Sequence, residues 1–169
     1  EARGGAGGDW EDAGAVLHAL GYHAAPVPLA ENLVAAHLAS TSRLSLPAGV
    51  VTLATTVDGR LEGDRFSGSL LGVPWGRHAE AIVTTVGAAA GARLVLLRRS
   101  DANRVHESSN LAGEPRDDLH FDAAAVTVAR PGDAEQASML LTLARCAQIA
   151  GALEAALHRS VEYAQTRKQ

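Results

Sequence analysis

The chain is poor in cysteine, in runs of positive charge and in long apolar runs, and each shortage excludes a class of protein. Its 169 residues contain one cysteine, Cys146, so neither a disulfide framework nor a cysteine-based metal cluster can form. That count fits a reducing, cytoplasmic setting. The formal net charge is −4 without a long Lys/Arg run, which makes nucleic acid and anionic membranes poor partners. No apolar run approaches the roughly 18 residues that span a bilayer.

Familiar catalytic and cofactor motifs are missing as well. The seven histidines show none of the short spacings that bring zinc ligands together, so no metal site is predicted. A GxSxG nucleophile motif is absent. The glycines of residues 4–8 do not follow a strand, which excludes a dinucleotide-binding or phosphate-binding loop. The Asp117-Asp118 pair is interpreted as part of a solvated loop, because a general acid–base pair needs burial to separate its pKa values.

The first pattern that is present is helical. Apolar residues recur at steps of three and four from Trp10 to Leu20. Asp9 is the predicted N-cap of this helix and Gly21 its predicted stop. After the extended, proline-rich segment 25–28, a second apolar helix is predicted over about 29–38.

From Pro47 the pattern changes to short β-favouring runs. Each run ends at a turn signal, of which Asp58-Gly59 is the first. Six short strands in about eighty residues predict an antiparallel barrel or sandwich. The predicted runs, the last two of them weaker, are 49–57, 65–73, 81–86, 93–97, 104–107 and 124–128.

A long helix is predicted from Asp133, its N-cap, to the end of the chain. Its apolar stripe consists of Met139, Leu143, Cys146, Ala150, Leu153, Leu157, Val161 and Ala164. Such a helix needs a packing partner, either another copy of itself or a sister subunit. The chain starts without Met and stops inside the helical pattern, so we expect a piece, or the ordered part, of a longer protein. The order of elements predicts an α+β fold.

Three segments stand out from this background. Trp75, between Pro74 and Gly76, lies on a turn where its ring could stack on a flat cofactor or plug the end of the barrel. Residues 110–117 form a turn-rich loop. Near the end of the chain, Arg167 offers a planar donor fork that suits a phosphate, or simply compensates the helix dipole.

Nearly the whole chain resembles acyl-CoA dehydrogenases. The most specific similarity is over 147–154 and 163–169, which resemble the first long helix of the family's C-terminal domain, where an arginine is followed shortly by Phe-Gly. Trp75 falls where the family has a Trp-Ile-Thr element beside its flavin. Residues 111–113 resemble a loop late in the middle β domain, and residues 20–31 resemble late helices of the N-terminal domain in actinobacterial members.

The resemblance implies an α+β subunit in three parts. Residues 1–46 would be the end of an N-terminal helical domain, 47–130 a middle antiparallel β-barrel domain, and 131–169 the first long helix of a C-terminal helical bundle. It also implies FAD between the β domain and the C-terminal helices, and a homo- or hetero-oligomer of acyl-CoA dehydrogenase-like subunits. In that family a glutamate takes the α-proton of the acyl-CoA substrate, the β-hydrogen leaves as hydride to the flavin, and an electron-transfer flavoprotein receives the electrons.

The resemblance assigns cofactor contacts to six residues. Trp75 would pack on the flavin, with its two successors in the places of Ile and Thr, and Arg167 with its neighbours would hold the FAD diphosphate from across an interface. The catalytic base is expected beyond the last residue, so no catalytic residue is assigned. The cofactor-binding candidates are Trp75, Gly76, Arg77, Arg167, Lys168 and Gln169.

Three departures from the family pattern leave the function open. The Thr-Glu-Pro and Gly-Ser-Asp stretch is absent, since strand 51–57 runs directly into Asp58-Gly59. Thr142 and Leu141 stand where members carry a substrate-side arginine and, in some cases, the catalytic glutamate. These departures favour a non-catalytic or degenerate subunit that completes the flavin or acyl-CoA site of a sister subunit. The retained Trp75 and Arg167 favour the dehydrogenase itself, and a flavin-free acyl-CoA-binding module is a third reading.

Overall fold

The computed structural model describes residues 7–87, 91–131 and 133–167, which form an α+β chain as predicted. One compact unit is built from residues up to 30 and from 141 onward, and the other from residues 31–140. The helices and strands of the described part are α1 Trp10–Tyr22, α2 Leu29–Thr41, β1 Val51–Ala54, β2 Thr56–Glu62, β3 Arg65–Pro74, β4 Ala81–Val86, β5 Arg93–Arg98, β6 Arg104–His106, β7 Arg116–Ala125, β8 Thr127–Pro131 and α3 Ala134–Thr166.

Both predicted N-caps are confirmed. The Asp9 carboxylate accepts hydrogen bonds from the backbone N–H groups of Glu11 (2.8 Å) and Asp12 (3.0 Å). In return, the Asp12 carboxylate accepts a hydrogen bond from the Asp9 N–H (3.1 Å). This reciprocal capping box satisfies N–H groups that the first turn of α1 leaves unpaired. At the start of α3, Asp133 accepts from the Gln136 N–H at 3.0 Å in the same way.

Helix α1 ends at Tyr22, one residue after the predicted stop at Gly21. This glycine also serves a helix crossing. A Cβ atom on Gly21 would overlap the carbonyl oxygen of Gln148 on α3, and a Cβ on Gly151 would overlap the carbonyl oxygen of His18 on α1. The two backbones therefore touch at a pair of glycines, a distance that no other residue allows.

Polar side chains border this crossing. The Tyr22 hydroxyl and His158 Nδ1 are 3.1 Å apart, and their rings meet edge to face. His18 Nε2 lies 3.1 Å from Glu154 Oε2. These contacts join α1 to α3 within their unit.

The strands form two four-stranded sheets. One has the order β1-β4-β5-β8 and the other β2-β3-β7-β6. Among the described strands, no pairing closes these sheets into a barrel, so the predicted barrel is not confirmed. The predicted wholly antiparallel pairing is wrong, since β1 and β4 run parallel; the other pairs are antiparallel.

Two predicted non-strand segments belong to strands. Asp58-Gly59 lies inside β2, and Asp117-Asp118 lies inside β7. The chain turns instead at Gly63, whose φ of +62° suits glycine. The described β region therefore has eight strands where six were predicted.

The core lies between the two sheets. Phe66 and Phe121 meet edge to face with ring centroids 5.9 Å apart, and Leu70, Ile82 and Leu119 are fully buried beside them. Burial of each such side chain contributes roughly 1.5–3 kcal/mol. This packing fixes the sheets that carry the site described below.

The apolar stripe predicted on α3 lies at the surface of the chain. Met139, Leu153 and Leu157 are 65%, 66% and 62% exposed. By length and composition α3 could also cross a membrane, and most of its apolar stretch is not buried within the described residues. One such helix is weak evidence, since a helix of a soluble bundle meets the same criteria.

Candidate functional site

A tight turn between β3 and β4 carries three of the six predicted site residues. Trp75 follows the last residue of β3 and has a φ of +56°, and Gly76–His78 then forms a single 3₁₀ turn. The Trp75 N–H donates to the carbonyl of Pro115 at 3.1 Å. A left-handed conformation costs a bulky residue about 1–2 kcal/mol, so the surrounding structure must hold it in place.

Asp117 supplies that support from the core. Its side chain has no exposed surface, and it faces the turn from β7. Its carboxylate accepts from the Arg77 backbone N–H (2.6 Å), from Arg77 Nη2 (2.6 Å) and from the Ser108 N–H (3.2 Å). The interpretation of Asp117 as a solvated loop residue is therefore wrong.

The side-chain donors of Arg77 form hydrogen bonds within the chain. Besides Asp117, it donates from Nη1 to Glu107 Oε2 at 2.6 Å and from Nη2 to the Ser108 carbonyl at 2.7 Å. Its side chain is 23% exposed. These contacts give Arg77 the role of fixing the turn, and they offer no support for the cofactor contact predicted for it.

The electrostatics of the pair agree with its geometry. Burial alone would raise the pKa of Asp117, but the hydrogen bonds from Arg77 and Ser108 outweigh burial and hold that pKa below its ordinary value. The hydrogen bond to Asp117 in turn raises the pKa of Arg77. Both groups are therefore charged across the neutral pH range.

Gly76 is the residue that lets the turn lie against Asp117. It is buried, and a Cβ atom there would lie 3.2 Å from Asp117 Cβ and 3.3 Å from Val73 Cβ. A side chain at this position would therefore press against Asp117 and Val73, which would have to shift by a few tenths of an ångström. The Trp75 ring is only partly buried, with the His78 ring 6.0 Å away, so a flat ligand has access to part of it.

The connection between β1 and β2 is a single residue, Thr55, that carries the chain from one sheet to the other. There is thus no room here for the Thr-Glu-Pro and Gly-Ser-Asp stretch. The end of β1 is held by its own contacts: Thr52 Oγ1 donates to the Pro74 carbonyl at 2.6 Å, and Thr84 Oγ1 to the Ala54 carbonyl at 2.7 Å.

The loop over 110–117 is turn-rich, as predicted, up to residue 116, where β7 begins. Asn110 Oδ1 accepts from the N–H groups of Ala112 and Glu114, both at 3.0 Å. Arg116 Nη2 lies 2.8 Å from Glu114 Oε2. Leu111 is fully exposed at the tip of this loop.

Arg167 belongs to the other compact unit and is described by itself. Its N–H closes the last turn after α3 onto the Tyr163 carbonyl at 3.0 Å, and its guanidinium lies 5.9 Å from the centre of the Tyr163 ring. It is exposed, and no carboxylate of the described residues pairs with it. Its donors are available to an anion. Lys168 and Gln169 lie outside the described residues.

No protein-family model matches the chain, and no curated protein sequence matches it. Solved structures do. The chain is similar to the ChsE4–ChsE5 complex from Mycobacterium tuberculosis, with 27% identity and a TM-score of 0.80 over 98% of this chain and 53% of that chain.

Two further solved structures show the same fold. A variant of the Tcur3481–Tcur3483 steroid ACAD is 24% identical, with a TM-score of 0.81 over 99% of this chain and 53% of that one. A Mycobacterium smegmatis structure described as an acyl-CoA dehydrogenase is 17% identical, with a TM-score of 0.73 over 98% and 55%. The chain thus spans about half the length of the solved chains that it matches.

Proposed function

Because the chain has an acyl-CoA dehydrogenase-like fold, we propose that it is part of an FAD-dependent acyl-CoA dehydrogenase, which desaturates the α,β bond of an acyl-CoA thioester. The observation that supports this most is the agreement in fold over 98% of the chain with a structure that is 27% identical. The turn of Trp75 adds support, as does the guanidinium of Arg167, which forms no ion pair within the described residues. Each offers the kind of contact that the resemblance assigns to it.

The residues present fit two parts of FAD. The exposed part of the Trp75 ring would contact the flavin, and Arg167, unpaired within the described residues, would bind the diphosphate. The flavin, when bound, supplies the hydride acceptor of the reaction. Arg77 and Asp117 would keep the Trp75 turn in one conformation without contacting the cofactor.

The short link between β1 and β2 favours a second candidate function. Thr55 alone occupies the place where the resemblance puts a flavin- and substrate-binding stretch. A chain without that stretch would need it from elsewhere, so the second candidate is a non-catalytic subunit that completes the flavin or acyl-CoA site of a sister subunit. One of the similar structures is a complex of two differently named proteins, which supports pairing of this kind.

The partners and location follow from the proposal. An acyl-CoA would be the substrate, an electron-transfer flavoprotein would accept the electrons, and an acyl-CoA dehydrogenase-like subunit would complete the oligomer. A cytoplasmic location fits the single cysteine.

The visible absorption spectrum tests both candidates. The protein would be purified alone and co-expressed with a neighbouring dehydrogenase-like subunit. A flavin band in the protein alone supports the dehydrogenase. Flavin only in the co-purified complex supports the non-catalytic subunit. The absence of flavin from both preparations contradicts FAD binding.

A further inference from the structure

The peptide group between Pro74 and Trp75 is held from both of its sides. Its carbonyl, on Pro74, accepts a hydrogen bond from the Thr52 hydroxyl at 2.6 Å. Its N–H, on Trp75, donates to the Pro115 carbonyl at 3.1 Å. In a planar trans peptide the carbonyl and the N–H point in opposite directions. The two hydrogen bonds therefore oppose rotation of this peptide plane, a rotation that would change the φ angle of Trp75.

The two partners reach this peptide from different parts of the β unit. Thr52 lies on β1, whereas Pro74 ends β3, so the hydroxyl bond crosses from one sheet to the other. Pro115 directly precedes β7, the strand that pairs with β3. The Arg116 N–H, opposite Pro74 on β7, donates to the Ser108 carbonyl at 3.0 Å, and the Pro74 carbonyl receives its hydrogen bond from Thr52.

The peptide group that follows Trp75 is held as well. The Trp75 carbonyl accepts from the N–H groups of His78 and Ala79, both at 3.0 Å. With the planes on both sides held, φ and ψ of Trp75 stay at 56° and 25°. These angles set the direction of the bond from Cα to Cβ, and so the direction in which the ring leaves the backbone. A left-handed conformation is unfavourable for a residue with a Cβ atom, so we expect it to relax when its hydrogen bonds are removed.

The hydroxyl of Thr52 is a polar group in an apolar strand. Thr52 has no exposed surface, and its neighbours Val51 and Leu53 are buried apolar residues. A buried hydroxyl is unfavourable unless it is hydrogen-bonded, and valine has nearly the same shape without that cost. What threonine adds at this position is the hydrogen bond to Pro74.

We propose that Thr52 is a positioning residue for the cofactor. Through the Pro74 carbonyl it holds Trp75 in the left-handed conformation that presents the ring to the flavin. The inference rests on the proposed function for the identity of the ligand. It goes beyond that function by giving a role to a buried residue of β1 that acts through the Trp75 turn.

Two matched valine variants test this role. Thr52→Val and Thr84→Val each change a threonine that has no exposed surface and donates to a backbone carbonyl, at 2.6 Å and 2.7 Å respectively. The acceptor of Thr84 is Ala54 on β1, outside the Trp75 turn. The two variants should therefore lower the melting temperature by similar amounts, and only Thr52→Val should affect the Trp75 ring.

The ring is observed in a Trp10→Phe background, in which Trp75 is the only tryptophan. We expect Thr52→Val to lower the anisotropy of Trp75 fluorescence and to weaken its near-UV circular dichroism, because the released peptide lets the ring move. Thr84→Val should match the background protein in both signals, and Thr52→Ser, which keeps the hydroxyl, should restore them. If Thr52→Val does not fold, Thr52→Cys takes its place, because a thiol is only a weak donor.

FAD binding gives a second readout, in the preparation that takes up FAD in the absorption experiment. Thr52→Val should weaken the affinity for FAD about fivefold or more, whereas Thr84→Val and Thr52→Ser should keep the affinity of the background protein. A wild type that binds no FAD in any preparation contradicts the proposed function. The two Trp75 signals then decide the role of Thr52 by themselves.

The proposal is overturned if the anisotropy and circular dichroism of Trp75 are the same in Thr52→Val and Thr84→Val, or if Thr52→Ser behaves like Thr52→Val. Full FAD affinity in Thr52→Val would also overturn it, because the direction of the Trp75 ring would then not matter to the flavin.

Discussion

Asp117 is a charged residue in a core position. On β7 the side chains of Leu119 and Phe121 alternate into the interior, and Asp117 continues their buried row. Arg77 and Ser108 meet its carboxylate there, so the charge is paired and hydrogen-bonded as a buried charge must be. Asp117 thus places a carboxylate where an apolar side chain would pack in the core, and this carboxylate holds the strained Trp75 turn in place.

We therefore expect Asp117→Ala to reduce the free energy of unfolding by about 2 kcal/mol, because it leaves several Arg77 donors and the Ser108 N–H without an acceptor. Asp122→Ala, at an exposed position on the same strand, is the control and should change stability little. Chemical denaturation followed by circular dichroism measures both. Equal midpoints for the two variants would contradict the role given to Asp117.

The same pair predicts a pH dependence. The pKa of Asp117 is lower in the folded protein than its ordinary value of about 3.9, so its stabilising contribution is complete above that value. The contribution is lost as the pH falls through the lower folded-state pKa. The stability difference between the wild type and Asp117→Asn should thus be constant near neutral pH and shrink in strong acid. Denaturation series at several pH values check this, and a gap that widens in acid would be inconsistent with it.

Arg167 carries the residue-scale prediction for the cofactor. Arg167→Ala should lower the flavin content of the purified protein without lowering its melting temperature, because an exposed phosphate contact is lost and no core contact is. Arg159→Ala, also exposed and on α3, is the control. The ratio of flavin to protein absorbance gives the result. Unchanged flavin occupancy in Arg167→Ala would remove this arginine from the site.

At the scale of elements, the glycines explain which sequence predictions failed. The local pattern predicts a chain break at both Gly21 and Gly59, yet Gly59 lies inside β2, and Gly21 lies in the last turn of α1 where α3 approaches it. A Cβ on Gly59 would lie 2.7 Å from the Ser67 carbonyl oxygen and 2.8 Å from the Phe66 ring. Each glycine allows the close approach of another element, the α3 backbone at Gly21 and the neighbouring strand β3 at Gly59, and a local pattern cannot distinguish that role from a turn.

The candidate site, like the elements, could be predicted from the sequence only in part. Pro74 and Gly76 marked the turn that carries Trp75, because their conformational limits are local. Asp117 was missed because its partner, Arg77, lies 40 residues away in sequence. The alternation of Leu119 with Phe121 was the available signal for a strand, and it was hidden by the aspartates beside it.

The crossing of α1 and α3 gives the element-scale prediction. Gly151→Ala should destabilise the protein by about 1–3 kcal/mol, because the new Cβ overlaps the His18 carbonyl and forces the helices apart. Gly14→Ala is the matched control on α1, where a Cβ meets nothing within 4 Å, and it should be stabilising by up to about 1 kcal/mol. Thermal unfolding compares the two, and a neutral Gly151→Ala would show that the helices do not touch.

At the scale of the whole molecule, the exposed apolar stripe of α3 is expected to pack against a partner. Its large apolar side chains lie in a row that water would otherwise contact, which is typical of an interaction surface. Under the proposed function, another copy of the chain or a sister subunit would pack against this stripe.

We expect the protein to associate in solution and the double variant Leu153→Glu/Leu157→Glu to be monomeric, since charge in the row opposes burial. Arg159→Glu adds negative charge outside the stripe and should leave association intact. Light scattering after size exclusion measures the mass. A wild type that stays monomeric at every concentration would be incompatible with this expectation.

The contact between Tyr22 and His158 joins residues 136 positions apart, and this has a consequence for synthesis. Helix α1 is translated before β1, but the partner of its glycine face is made only after β8. At about 5–20 residues per second, α1 waits for seconds beside a growing chain. During that time the face of α1 that packs on α3 is open to chaperones or to a neighbouring nascent chain.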